Sequence, residues 1–283
     1  MRQTFLTFLR GGDSALPGYR LSLAATLLWT GFFIVLPLCA LAIRPWQDGM
    51  GAVVGALHDT RMFAALWTSF SSAALAALFN LPIGLLLAWA LVRGDLPGRR
   101  VADALVDLPL ALPTAVSGIT LATLYGPQGW LGAPLAKFGI VVAYSRPGIV
   151  LALMFVGLPF VVRTVEPVLK NLPRDLEEAA VLLGARPWQI VLRVILAPLL
   201  PALITGFGLA FARGVGEYGS VIFIAGNQPF RSEIAPLLVV VRLQEFDYPG
   251  ATAIALVLLL TSLAALALVG VVRRKFSAWG DAA

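Results

Sequence analysis

Long stretches of this chain carry no charge, and the gaps between charged residues set its organisation. About 20 apolar residues at about 1.5 Å rise cross the hydrocarbon core of a bilayer, so each long uncharged run is a candidate span. Residues 21–43 contain no charged side chain, and residues 62–92 are interrupted only by Asn80 and Pro82. Residues 108–136 are uncharged but rich in proline and glycine, which places a helix near 101–125 with Gly126-Pro127-Gln128-Gly129 as the turn ending it. The run at 147–162 is short; its helix is expected to continue through Arg163 to about residue 169, the arginine snorkelling toward headgroups. Residues 194–230 are apolar except for Arg213 and Glu217, giving a helix near 198–225, and residues 248–272 form the last uncharged run. The pattern predicts an all-α polytopic membrane protein: about six transmembrane helices in one domain over residues 1–283, with a polar loop at 170–197.

Composition agrees. The chain is 59% hydrophobic and 13% charged, with a mean hydropathy of +0.88, whereas a soluble domain carries about 25% charged residues. Its net charge of +6 does not point to nucleic acid, because the basic residues lie between apolar runs rather than on one soluble face. One cysteine, Cys39, and one histidine, His58, leave no internal disulfide and no metal site built from histidines. The first apolar run is longer than a signal-peptide core and no A-x-A site follows, so it is expected to stay on the protein. Leu36-Pro37-Leu38 before Cys39 does not look like a lipoprotein processing site.

Lysines and arginines divide unevenly between alternate loops. Fourteen fall in one set (Arg2, Arg10 and Arg20; Arg93, Arg99 and Arg100; Arg163, Lys170, Arg174, Arg186 and Arg193; Arg273, Arg274 and Lys275) and six in the other (Arg44, Arg61, Lys137, Arg146, Arg231 and Arg242). The positive-inside rule then puts both termini in the cytoplasm, with short external loops near 44–61, 126–147 and 226–249.

The cytoplasmic loop reads Asn171-Leu172-Pro173-Arg174-Asp175-Leu176-Glu177-Glu178-Ala179-Ala180-Val181-Leu182-Leu183-Gly184-Ala185-Arg186-Pro187-Trp188-Gln189. Pro173 followed by Asp175, Glu177 and Glu178 is a helix start, since acids favour the positive end of the helix dipole, and Gly184 is a stop. A helix of two or three turns is unstable alone in water and needs a surface to pack on. That surface is either the membrane or another protein, and the acidic start argues against the membrane.

Glu178-Ala179-Ala180, three residues, Gly184, nine residues, then Val194 and Leu196 resembles the EAA loop of bacterial ABC importer permeases. The resemblance implies a type I importer permease fold in which Glu177, Glu178, Ala179, Ala180 and Gly184 couple the chain to a separate ATPase. The family pattern ends in Ile-x-Leu-Pro, whereas Leu196 is followed here by Ala197. The segments 107–118, 159–165, 213–219 and 223–227 are similar to permeases of the sulfate and molybdate importers, and Arg242-Leu243-Gln244-Glu245-Phe246-Asp247-Tyr248-Pro249 is similar to the T-type permease of the sulfate/thiosulfate branch. The resemblance covers most of the chain from about residue 60 and implies four partners: a homologous W-type permease, two ATP-binding subunits, and a periplasmic sulfate-binding protein. It also implies the bacterial inner membrane as location.

An oxyanion is held by hydroxyls, helix N-termini and arginine. Arg213 is the one cation deep in an apolar segment, with Glu217 four residues on; they are read either as substrate contact or as ion-paired, with each other or equally with a neighbouring subunit, to hold a gate. Thr114 and Ser117, with Thr120, form a polar stripe that lines a path or packs helices, and Asn227 is a further candidate. Asn80 beside Pro82 is read as satisfying backbone groups freed by the proline. The chain has no GxxxxGK[ST] sequence, so no catalytic residue, cofactor or metal is assigned to it; ATP and magnesium would sit on the partner ATPase. The alternatives are a molybdate/tungstate permease and a gradient-driven anion transporter.

Overall fold

A computed structural model describes residues 19–47, 51–94 and 97–280; Arg2, Arg10, Gly11, Gly12, Asp13, Asp48 and Ala283 lie outside them. Among the described residues every regular element is helical. The first apolar run is the span Leu21–Arg44 (α1), which contains one stretch of wider π turns at Gly31–Val35. Then follow α2 (Gly51–His58), α3 (Thr60–Arg93), α4 (Arg99–Ala111), α5 (Thr114–Tyr125), α6 (Gly132–Lys137) and α7 (Arg146–Asn171). The chain continues through α8 (Asp175–Leu182), the span Pro187–Val215 (α9), α10 (Val221–Ile224), α11 (Ala235–Gln244) and α12 (Tyr248–Gly280).

The core is the triple contact of α3, α7 and α9. Two hydrogen bonds fix α3 and α7 parallel and in register: Arg146 Nη2 donates to Thr68 Oγ1 at 3.3 Å and Asn80 Nδ2 to the Met154 carbonyl at 3.0 Å. The Asn80 amide therefore serves the facing helix, one turn before Pro159, rather than backbone freed by Pro82 of its own helix. α9 runs back between them on small residues. A Cβ at Gly214 would lie 3.2 Å from the Ala73 Cβ, and one at Gly157 would lie 3.3 Å from the Ala210 Cβ. With no hydrophobic drive between helices in lipid, such close approach supplies the packing. Around it Val161, Val162, Val165, Leu169 and Leu199 are fully buried.

Two expected helices differ. The helix near 101–125 is α4 and α5, bent by 107°; Pro113 forces Leu112 out of the helical region to φ −79°, ψ 139°, and Pro113 then leads into α5. The helix near 198–225 starts earlier, at Pro187, and stops at Val215, where Gly216 ends it before the separate turn of α10. Helices α7 and α9 thereby shorten the loop expected at 170–197. Among the described residues five helices are long and apolar enough to cross a membrane, or six if the bent pair α4–α5 is one span.

Candidate functional site

The first turn of α8 carries three acids, Asp175, Glu177 and Glu178, at the positive end of the helix dipole. At its other end the amide of Gly184 donates to Val181 O (2.9 Å) and that of Ala185 to Ala180 O (3.0 Å), a Schellman closure with Gly184 at φ +78°. Leu182 and Leu183 are each 88% exposed at the tip, while Glu178 and Ala179 are exposed beside them. The base of the loop is tied down: Arg93, at the end of α3, donates to Leu172 O at 2.8 Å and pairs with Glu177 at 3.0 Å. The helix is thus held at its acidic start and presents bare leucines at its end.

Arg213 and Glu217 pair with each other within the chain. Glu217 is 2% exposed. Its Oε1 accepts from both the Ser220 amide and the Ser220 hydroxyl, each at 2.9 Å, so the carboxylate caps the turn that enters α10 while Oε2 faces Arg213. α5 lies directly against this turn. A Cβ at Gly118 would overlap Ser220 O, and one at Gly219 would overlap the Thr114 hydroxyl. The structure therefore brings Thr114, Ser117, Arg213 and Glu217 into one neighbourhood. Ser117 is buried with its hydroxyl turned back to Pro113 O at 3.5 Å, whereas Thr120 is exposed, so the expected stripe does not face a single surface. Asn227 lies past α10, at φ +53°, donating to Ile222 O at 3.0 Å, with its Oδ1 buried and unpaired.

Among the described residues three ion clusters stand outside the sequence-based expectations. Arg163 does not reach for headgroups: it donates to Asp107 Oδ1 and Oδ2 (2.9 and 2.6 Å), Asp103 Oδ1 (2.7 Å), Asp103 O (3.1 Å) and Glu166 Oε2 (2.6 Å), while Glu166 also meets Lys170 at 2.7 Å. The signal was available in Asp103 and Asp107, spaced by four on one face of α4. At the opposite end, Arg61 grips Glu233 through two bonds (2.9 and 2.7 Å), and Arg242 meets Asp59 at 3.0 Å, clamping α11 to the start of α3. Those partners are more than 170 residues apart and carry no local signature. Among the described residues no group of three or more histidine, cysteine or acidic side chains is placed to hold a metal ion.

Residues 80–278 match the family described as "Binding-protein-dependent transport system inner membrane component". The chain is 50% identical over 243 residues to the "Probable sulfate transport system permease protein cysT" of Nephroselmis olivacea, covering 86% of each chain. It is 47% identical over 261 residues to the "Sulfate transport system permease protein CysT" of Escherichia coli K12, covering 92% of this chain and 94% of the relative. Among solved structures, a bacterial ABC transporter involved in the import of the acidic polysaccharide alginate superposes with a TM-score of 0.74 at 18% identity, covering 90% of this chain and 94% of that one. A bacterial alginate ABC transporter in complex with an alginate pentasaccharide-bound periplasmic protein gives 0.73 at 19% identity over 90% and 93%. These likenesses fix the fold as that of a type I ABC importer permease.

Proposed function

We propose, from the premise that this chain belongs to the family of binding-protein-dependent transport system inner membrane components, that it is the T-type permease of an ATP-driven sulfate/thiosulfate importer. As a multi-pass ABC importer permease it is a transporter subunit. In this reading it works beside a W-type permease, two ATPases that carry ATP and magnesium, and a periplasmic sulfate-binding protein, with both termini in the cytoplasm. What supports the cargo is the identity to sulfate permeases over most of the chain.

The observation that carries coupling is the geometry of α8. A short helix anchored by Arg93 at its start and ending in two bare leucines presents the apolar knob that a groove on an ATPase would cover. Burying two leucines contributes about 3–6 kcal/mol before the entropic cost of association is subtracted. Motion imposed on Glu177 reaches α3 through Arg93 and α7 through Leu172. Expression in cells lacking their own sulfate permease, with competing thiosulfate, molybdate and tungstate, tests the cargo: restored sulfate uptake, inhibited by thiosulfate and little by molybdate, is expected. Molybdate uptake in its place would favour the molybdate/tungstate branch.

A further inference from the structure

Between α3 and α7, at the end of the bundle away from α8, lies a groove of about 630 Å³ lined by Trp67, Ser71, Ser72, Tyr125, Arg146 and the apolar stripe Leu75, Phe79, Val150, Leu151 and Met154. Helical spacing builds it. Thr68, Ser71, Ser72, Leu75 and Phe79 lie on one face of α3, and Arg146, Val150 and Met154 lie on the facing stripe of α7. All the polar groups collect in the turn beside Arg146, and the Asn80–Met154 bond lies at the depth of the apolar end.

Arg146 sets this groove apart. Arg61, Arg93, Arg163, Arg213 and Arg242 each meet a carboxylate. Arg146 donates only to Arg231 O (2.7 Å) and Thr68 Oγ1 (3.3 Å), and among the described residues no carboxylate lies within ion-pair distance of it. A guanidinium carries five N–H donors, so most of its donors remain free. It is also the first residue of a 26-residue helix whose first turn holds no acid, so the helix dipole adds positive potential at the same place. Among the described residues neither the Ser72 nor the Tyr125 hydroxyl has a hydrogen-bond partner, whereas Ser71 is spent on Trp67 O at 2.5 Å. Arg146 is itself exposed, so an anion entering the groove can reach its free donors.

We propose that Arg146, Ser72 and Tyr125 form an oxyanion site that takes a tetrahedral anion. The transported sulfate and a phospholipid phosphate share this chemistry; the claim on sulfate rests on the importer reading, while the apolar end of the groove would accept an acyl chain beneath a lipid phosphate.

Trp67 reports on the groove. Its fluorescence is titrated with sodium sulfate against sodium chloride at equal ionic strength, without ATP, in the full chain purified with its accompanying subunits in phosphatidylcholine nanodiscs. Trp67→Phe identifies the signal. A saturable sulfate response is expected, with half-saturation raised about tenfold by Arg146→Gln, less by Arg146→Lys, and about threefold by Ser72→Ala. Nanodiscs containing phosphatidylglycerol separate the sources: a lipid phosphate site gives an Arg146-dependent response to that lipid without sulfate, and a site for the transported anion does not. A response to neither sulfate nor phosphatidylglycerol, or one unchanged by all three variants, overturns the site. Uptake lost while the sulfate response persists would strike the importer reading and leave the site standing.

Discussion

The guanidinium of Arg163 meets the carboxylate of Asp107 through two bonds, at 2.9 and 2.6 Å, joining α7 to the short helix α4. Little else holds α4, of which only Val106 and Pro109 are buried. Because Asp103 and Asp107 are about half exposed, at 48% and 47%, solvent screens part of the attraction. Arg163→Ala is expected to cost about 1–3 kcal/mol, read as a lowered midpoint of thermal unfolding in detergent. Arg163→Lys should recover part of it, since one ammonium cannot serve Asp107 bidentately. An unchanged midpoint in Arg163→Ala would mean that α4 is held some other way.

Arg213 and Glu217 should behave as one electrostatic unit. Arg213→Ala leaves the Glu217 carboxylate buried with only Ser220, and removing both charges should therefore hurt less than removing Arg213 alone. The expected outcome is raised uncoupled ATP hydrolysis or poor assembly for Arg213→Ala, with partial recovery when Glu217→Ala is added. Normal assembly of Arg213→Ala with a raised sulfate requirement, and no gain from the double change, would make Arg213 a substrate contact.

Gly184 closes α8 at positive φ with open space around it. Gly184→Trp therefore strains the closure and blocks close approach of the loop to a partner, while Glu178→Lys reverses an exposed charge. Both are expected to insert normally yet lose uptake and substrate-stimulated ATP hydrolysis. Normal uptake in both variants removes the loop from the mechanism.

Topology gives a separate check. Tags at the N-terminus, near Arg99 and at Ala283 are expected to report cytoplasm, and tags near Asp48 and Gln228 the periplasm. Two adjacent tagged loops on one side would break the six-span count between them.

Spans α1, α3, α7 and α12 were legible because hydrocarbon thickness dictates the length of an uncharged run. The stop at Gly184 was legible because a Schellman closure selects glycine. The 107° break at Leu112 was not, although Pro113 stood in view: a proline constrains its predecessor locally without giving the direction the chain then takes. Spacing put Arg213 and Glu217 on one helix face but, with the base preceding the acid, left a partner on a neighbouring subunit equally open; the role of Ser220 as the second partner of Glu217 depends on the turn after Val215. The clamps Arg61–Glu233 and Arg242–Asp59 join residues remote in sequence and follow only from the packing of α11 on α3.

ATP-driven import is tested most directly by sulfate uptake into proteoliposomes holding the permease pair, the ATPases and the binding protein. Uptake is expected to require internal ATP, to stop when hydrolysis is blocked by vanadate, and to persist when a protonophore collapses the proton gradient. Uptake that proceeds without the ATPase subunits and vanishes with the gradient would contradict ATP-driven import.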